Sequence, residues 1–163
     1  MPRISPSFVT AVVLLGGLWV SGSTRSAFAQ ADPAVGTWKL NLGKSKDSPG
    51  PAPKSQTITI TAAGNGIRVS AKGVDGDGKA TSTEYTASYD GRDVPVLFNL
   101  AFDSTSLTRI DANTSELVRK KRGKVVQTAR RVISAGGKVM TIATTGADDQ
   151  GRKIDNVAVY DKQ

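Results

Sequence analysis

Residues 55–73, SQTITITAAGNGIRVSAKG, decide the fold. Gln56, Ile58, Ile60 and Ala62 alternate with Thr57, Thr59 and Thr61, and Ile67, Val69 and Ala71 alternate with Arg68, Ser70 and Lys72. A period of two puts each set on its own face of an extended strand. Between the two runs sits Asn65-Gly66, a pair that favours the positive φ angles of a type I′ turn, so the runs are expected to pair as an antiparallel hairpin. The same punctuation recurs outward along the chain at Asp75-Gly76-Asp77-Gly78, Asp90-Gly91, Asp111-Ala112-Asn113, Arg122-Gly123, Gly136-Gly137 and Asp149-Gln150-Gly151. Between these turns, short runs rich in Thr, Val, Ile and Tyr predict strands near 35–41, 55–62, 66–73, 80–89, 104–111, 114–121, 124–134, 138–146 and 153–161, with a short one near 94–97.

Beyond residue 30 no stretch sustains a 3.6-residue apolar stripe, so the fold class is all-β. Strands joined in order by hairpins form a meander, and about 8–10 of them curl until their edges meet. The expected architecture is therefore an antiparallel up-and-down β-barrel. An open sandwich of two sheets is the alternative that the same pattern allows. Residues 43–55, GKSKDSPGPAPKS, interrupt the rhythm; Pro49, Pro51 and Pro53 remove backbone donors and impose extended geometry, so this is a loop or strap rather than a helix.

The chain has 163 residues, a formal charge of +8, and neither cysteine nor histidine. These absences exclude the usual zinc, haem and iron–sulfur ligands and any catalytic pair built on His. No cofactor and no metal site is expected. A calcium loop beginning at Asp75 would need Gly and Glu where the sequence has Ala80 and Thr86. The first residues read as a secretory signal peptide over 1–29: Arg3, an apolar run at 8–20 too short for a stable anchor, and the small-x-small site Ala27-Phe28-Ala29, with cleavage after Ala29 or Ala31. The mature domain, 32–163, is then secreted or periplasmic, without a transmembrane segment. It carries about +6 once Arg3 and Arg25 are removed.

Gly36-Thr37-Trp38-Lys39-Leu40 on the first strand, about ten meander strands, and a last strand ending Val157-Ala158-Val159-Tyr160-Asp161-Lys162 resemble the calycin superfamily of lipocalins and fatty-acid-binding proteins. The chain is most similar to lipocalin-like proteins exported by bacteria, whose activity is not established. The resemblance implies a barrel around a cavity for a small apolar molecule, with Gly36 and Trp38 as the structural motif at its closed end. Fatty-acid-binding proteins also carry an Arg-x-Tyr that grips the ligand carboxylate; the matching positions here are Ala158 and Tyr160, so the cation is missing. Their helical lid corresponds to the proline-rich segment, which cannot form it.

A replacement cation is available at Arg130 or Arg131, of which only one can face inward because adjacent strand residues point opposite ways. An inward guanidinium needs an acidic ligand or an acidic side chain beside it. Tyr85 and Tyr160, with those arginines, are the candidate ligand-binding residues; Tyr85, Tyr89 and Tyr160 suit a core equally well. Arg119, Lys120, Lys121, Arg122 and Lys124 form the densest charge in the chain and are expected to project from a hairpin as a basic surface. That run lacks the interleaved aromatics of nucleic-acid readers, so no nucleic acid is expected. Beyond the leader only Glu84 and Glu116 supply Glu, and nothing marks a proton donor, so an enzyme is not expected. The expected function is an exported, non-catalytic binder of a small hydrophobic or amphipathic ligand. The alternative is a filled-core adaptor or inhibitor that meets an anionic envelope surface through its basic hairpin.

Overall fold

The computed structural model describes residues 31–148 and 150–163. The leader read over 1–29 lies outside them. Ten strands follow in chain order: β1 Gly36–Leu40, β2 Ser55–Ala63, β3 Gly66–Val74, β4 Ala80–Ser88, β5 Val94–Pro95, β6 Ser104–Arg109, β7 Thr114–Lys121, β8 Lys124–Ile133, β9 Val139–Ala147 and β10 Lys153–Lys162. Each pairs antiparallel with its sequence neighbour except across the β4–β5 step, and β1 pairs with both β2 and β10, Trp38 opposite Lys162 and Leu40 opposite Tyr160. The single sheet therefore curls into a nearly closed barrel, and the two-sheet sandwich does not form.

Closure leaves one seam, between β4 and the β5–β6 segment. Glu84 and Leu97 exchange two backbone hydrogen bonds of 3.1 and 2.9 Å, and the Gly91 N–H donates to the Leu107 carbonyl at 3.0 Å. Asn99 adds a side-chain stitch, its Nδ2 donating to Thr83 Oγ1 at 2.8 Å.

The first hairpin corrects one expectation. Ala63 pairs with Gly66, so the two-residue turn is Gly64-Asn65, and only Gly64 has a positive φ, 55°. That is the pattern of a type II′ turn rather than the type I′ turn expected at Asn65-Gly66. Gly66 is already in β3, where a Cβ would lie 2.0 Å from the Ala87 carbonyl oxygen of β4. It is needed for strand approach, not for the turn. Arg122-Gly123 does form a turn with both φ positive, 51° and 77°.

Alternation sorts the strands into faces as the sequence implied. In β8, Gln127, Ala129, Arg131 and Ile133 are all buried while Arg130 and Val132 are exposed. Trp38 closes one end: it is fully buried, its Nε1 donates to the Ala34 carbonyl at 2.8 Å, and the Lys162 ammonium sits 5.0 Å from the ring centroid. Gly36 leaves the space that the Lys162 stem fills, since a Cβ there would meet Lys162 Cε at 2.5 Å. At the opposite end the segment between β1 and β2 starts with one 3-10 turn, Leu42–Lys44, then straps across β10. Lys46 exchanges two backbone hydrogen bonds of 2.8 Å with Val157, and Pro51 lies where a Gly76 side chain would be.

Candidate functional site: the barrel cavity and its two arginines

The barrel encloses a cavity of about 270 Å³. Inward positions at strand period supply its wall: Leu40 from β1, Ile58 and Ile60 from β2, Val69 and Ala71 from β3, Leu117 from β7, Met140 and Ile142 from β9, and Ala158 from β10. Small residues at 71 and 158 leave room that larger side chains would fill. The mouth lies at the end away from Trp38, where Asp47 and Pro53 of the strap and Asn99 and Phe102 of the β5–β6 loop reach the opening. Burial there raises the Asp47 carboxyl above its ordinary value.

Of the residues expected to bind ligand, Tyr85, Arg131 and Tyr160 face this cavity and Arg130 does not. Tyr160 donates its hydroxyl to Gln56 Oε1, and burial pushes its phenol well above the ordinary value. Burial raises Tyr85 as well, against the opposing pull of Arg131 and Arg119.

The larger correction concerns Arg119, expected on the basic surface. It lines the cavity. Strand β7 runs through Lys121 before the turn begins, so the alternation that buries Ser115 and Leu117 carries Arg119 inward too. A register shift between Arg119 and Lys120 then breaks the pairing with β8. Lys120 points out to an ion pair with Asp93 at 2.6 Å, and Lys121 Nζ donates to the Leu100 carbonyl at 2.7 Å. Arg122 and Lys124 are exposed at the hairpin tip.

The two inward arginines differ in their partners. Arg131 Nε donates to Ser115 Oγ at 3.0 Å and its Nη2 to the Tyr89 hydroxyl at 3.3 Å. That hydroxyl donates in turn to Asp32 Oδ2 at 2.5 Å, which also holds Arg109 at 2.7 Å. The Arg109 guanidinium stacks over the Tyr89 ring, 3.6 Å from its centroid. The charge of Arg131 is thus answered, at one remove, by a carboxylate at the closed end. Burial together with the hydrogen bond to Asp32 pushes the Tyr89 phenol up to about 12.

Arg119 has neutral partners only. Its Nη1 donates to Gln127 Oε1 at 2.9 Å and its guanidinium lies 5.0 Å from the Phe102 ring centroid. Among the described residues no carboxylate comes within ion-pair distance of it. Burial pulls its pKa down from the ordinary value, yet a guanidinium stays charged throughout the physiological range. A cation with unused N–H donors therefore faces a chamber whose wall mixes apolar side chains such as Ile58, Ile60, Leu117 and Met140 with polar ones such as Gln56, Tyr85 and Tyr160. Such a chamber can take the tail of an amphiphile and present one fixed charge to its acid group.

Strand order, cavity and buried Trp38 together make the fold an all-β, ten-stranded antiparallel barrel, nearly closed around a chamber. No family model and no curated protein matches the chain. Among solved structures it is similar to the zebrafish ileal bile acid-binding protein complexed with cholic acid, at 9% identity over 80% of this chain and 99% of that chain, with a TM-score of 0.49.

Sequence reasoning missed Arg119, Gln127, Asn99 and Asp32. For Arg119 the signal was present, since Leu117 and Arg119 share the parity of one strand face. Gln127 and Arg131 likewise share the inner face of β8. Asp32 and Asn99 act through contacts 57 and 16 residues away along the chain, which no local pattern encodes.

Proposed function

We propose that this chain is an exported carrier that holds a small amphipathic anion in the barrel cavity without changing it chemically. The observation that supports this most directly is Arg119, a charged group lining the cavity with no carboxylate beside it. A ligand carboxylate, sulfate or phosphate would take the unused donors of its guanidinium in a charge-assisted pair. The tail would lie against Leu117, Ile58, Ile60 and Met140, each 100 Å² of apolar surface removed from water contributing about 2.5 kcal/mol before the costs of association. At about 270 Å³ the cavity suits a compact ligand. Arg131 would contribute long-range field rather than contact, because Ser115, Tyr89 and Asp32 already engage it.

The test is a titration of matched pairs, a medium-chain alkyl carboxylate against the corresponding alcohol, followed by displacement of a fluorescent anionic probe. The carboxylate is expected to bind at least about tenfold more tightly, the scale of a single charge-assisted contact. Arg119→Gln should erase that preference. Equal affinity for acid and alcohol, or no binding of either, would overturn the reading. Export is supported by the apolar run at 8–20 and Ala27-Phe28-Ala29. The intact mass of protein recovered from the periplasm or medium tests it, cleavage after Ala29 or Ala31 being the expected result.

A further inference from the structure

The β5–β6 loop carries three large apolar side chains that the fold leaves in water: Leu97 is 53% exposed, Phe98 71% and Leu100 90%. Isolated exposed apolar residues are ordinary, but three within four positions make a patch. Phe98 is moreover held at φ 62°, a left-handed backbone conformation in which a bulky residue is rare. The loop is fastened to the neighbouring β7–β8 hairpin. Lys121 Nζ donates to the Leu100 carbonyl at 2.7 Å, and Asp103 Oδ2 accepts the Arg122 N–H at 2.8 Å. The apolar tip is therefore flanked by Lys121, Arg122 and Lys124, with Asp103 the neighbouring carboxylate that offsets them; Lys120 is neutralised by Asp93.

We infer that this end of the barrel docks on an anionic lipid bilayer, with Leu97, Phe98 and Leu100 entering the interface and Lys121, Arg122 and Lys124 meeting the headgroups. Apolar side chains beside a cationic rim are the combination that holds a protein at such an interface. A second copy of the chain would bring like charges together, on a domain that carries about +6 without Arg3 and Arg25. An anionic membrane meets both halves of the patch. The loop that would insert also supplies Asn99 and Phe102 to the cavity lining, so docking sets the mouth of the barrel against the bilayer. The inference stands whether or not the cavity binds an anion.

The experiment is co-sedimentation of the purified protein with vesicles of phosphatidylcholine containing phosphatidylglycerol, against phosphatidylcholine alone, at rising salt. Binding is expected only to the anionic vesicles and should weaken as salt screens the cations. Phe98→Asn with Leu100→Ser should lower partition about tenfold or more. Asn accommodates a positive φ, so the thermal stability of Phe98→Asn alone should not fall. Arg122→Asn with Lys124→Gln, which keeps the turn conformation, should lower partition about fivefold per charge removed. Absence of binding to anionic vesicles would overturn the inference, as would binding that ignores both pairs of substitutions. So would a concentration-dependent dimer, seen by sedimentation equilibrium, that the Phe98 and Leu100 substitutions abolish, because the patch would then cover a second copy.

Discussion

Replacing Arg119 by Met should make the empty barrel more stable while removing its preference for anions. Methionine keeps the length and flexibility of the side chain and discards the charge. Holding an ion at this half-buried place on the cavity wall costs several kcal/mol, about 4 after relaxation. Against that stand the charged hydrogen bond to Gln127 at 2.9 Å, worth about 2 kcal/mol, and the contact with the Phe102 ring at 5.0 Å, worth about 1 kcal/mol. The difference is a stabilisation of about 1 kcal/mol, or ~3 °C in Tm for a domain of this size. Urea unfolding with and without an alkyl sulfate measures both effects: the original protein should gain stability from the ligand, and Arg119→Met should start higher and gain less. A loss of more than about 1 kcal/mol in the ligand-free variant would refute the reasoning. It would show that the guanidinium braces the barrel wall instead of waiting for an anion.

The closed end gives a pH prediction. Burial raises the Asp32 carboxyl, but hydrogen bonds from Tyr89 and the Ala34 N–H, together with Arg109, outweigh that and hold it below its ordinary 3.8. Its contribution is then complete above about pH 4 and lost as pH falls through the lowered folded value; Asp32→Asn should cost about 2 kcal/mol near neutrality and flatten the acid limb of a stability–pH curve. The tyrosines act in the other direction, because Tyr89 is raised from 10.0 to about 12 and its neutral form is the one the fold prefers. Stability should be undiminished by it below about pH 10 and drain away between about pH 10 and 12, with Tyr89→Phe shifting the alkaline midpoint upward in a denaturation series. Gly66→Ala places a Cβ 2.0 Å from the Ala87 oxygen and should cost about 3 kcal/mol by thermal unfolding, a penalty that a turn glycine would not show.

The period-two pattern made the strands legible, because a half-buried strand must alternate to keep one face in the core. Gly66 was misread for a physical reason: Asn-Gly is good turn chemistry, and nothing local reveals that the β4 backbone presses against that glycine. Within residues 119–124, Arg119 alone was misread, because composition outweighed parity. A dense run of charge suggests solvent, yet Leu117 had already fixed the inner face and Arg119 lies two positions on. Phe98 and Leu100 show the converse. They lie beyond the short strand expected near 94–97; β5 ends at Pro95, Leu97 makes the last backbone pairing, and Phe98 and Leu100 project from the loop that follows. The pairing of Asp32 with Tyr89 joins residues 57 apart, and only the closed barrel brings them together.

The ladder between β1 and β10 also sets the order of events in folding. Asn41 Nδ2 reaches Asp161 Oδ2 at 2.6 Å across 120 residues of chain, and the Gln163 N–H donates to the Thr37 carbonyl at 2.9 Å. Hairpins such as β2–β3 or β7–β8 can form as soon as their own residues are free, but the cylinder cannot shut until its two outermost strands meet. Long-range closure of this kind slows folding to the scale of milliseconds to seconds. A polypeptide delivered from its amino end would therefore remain an open sheet, threadable through a narrow channel, until β10 arrives to lock it.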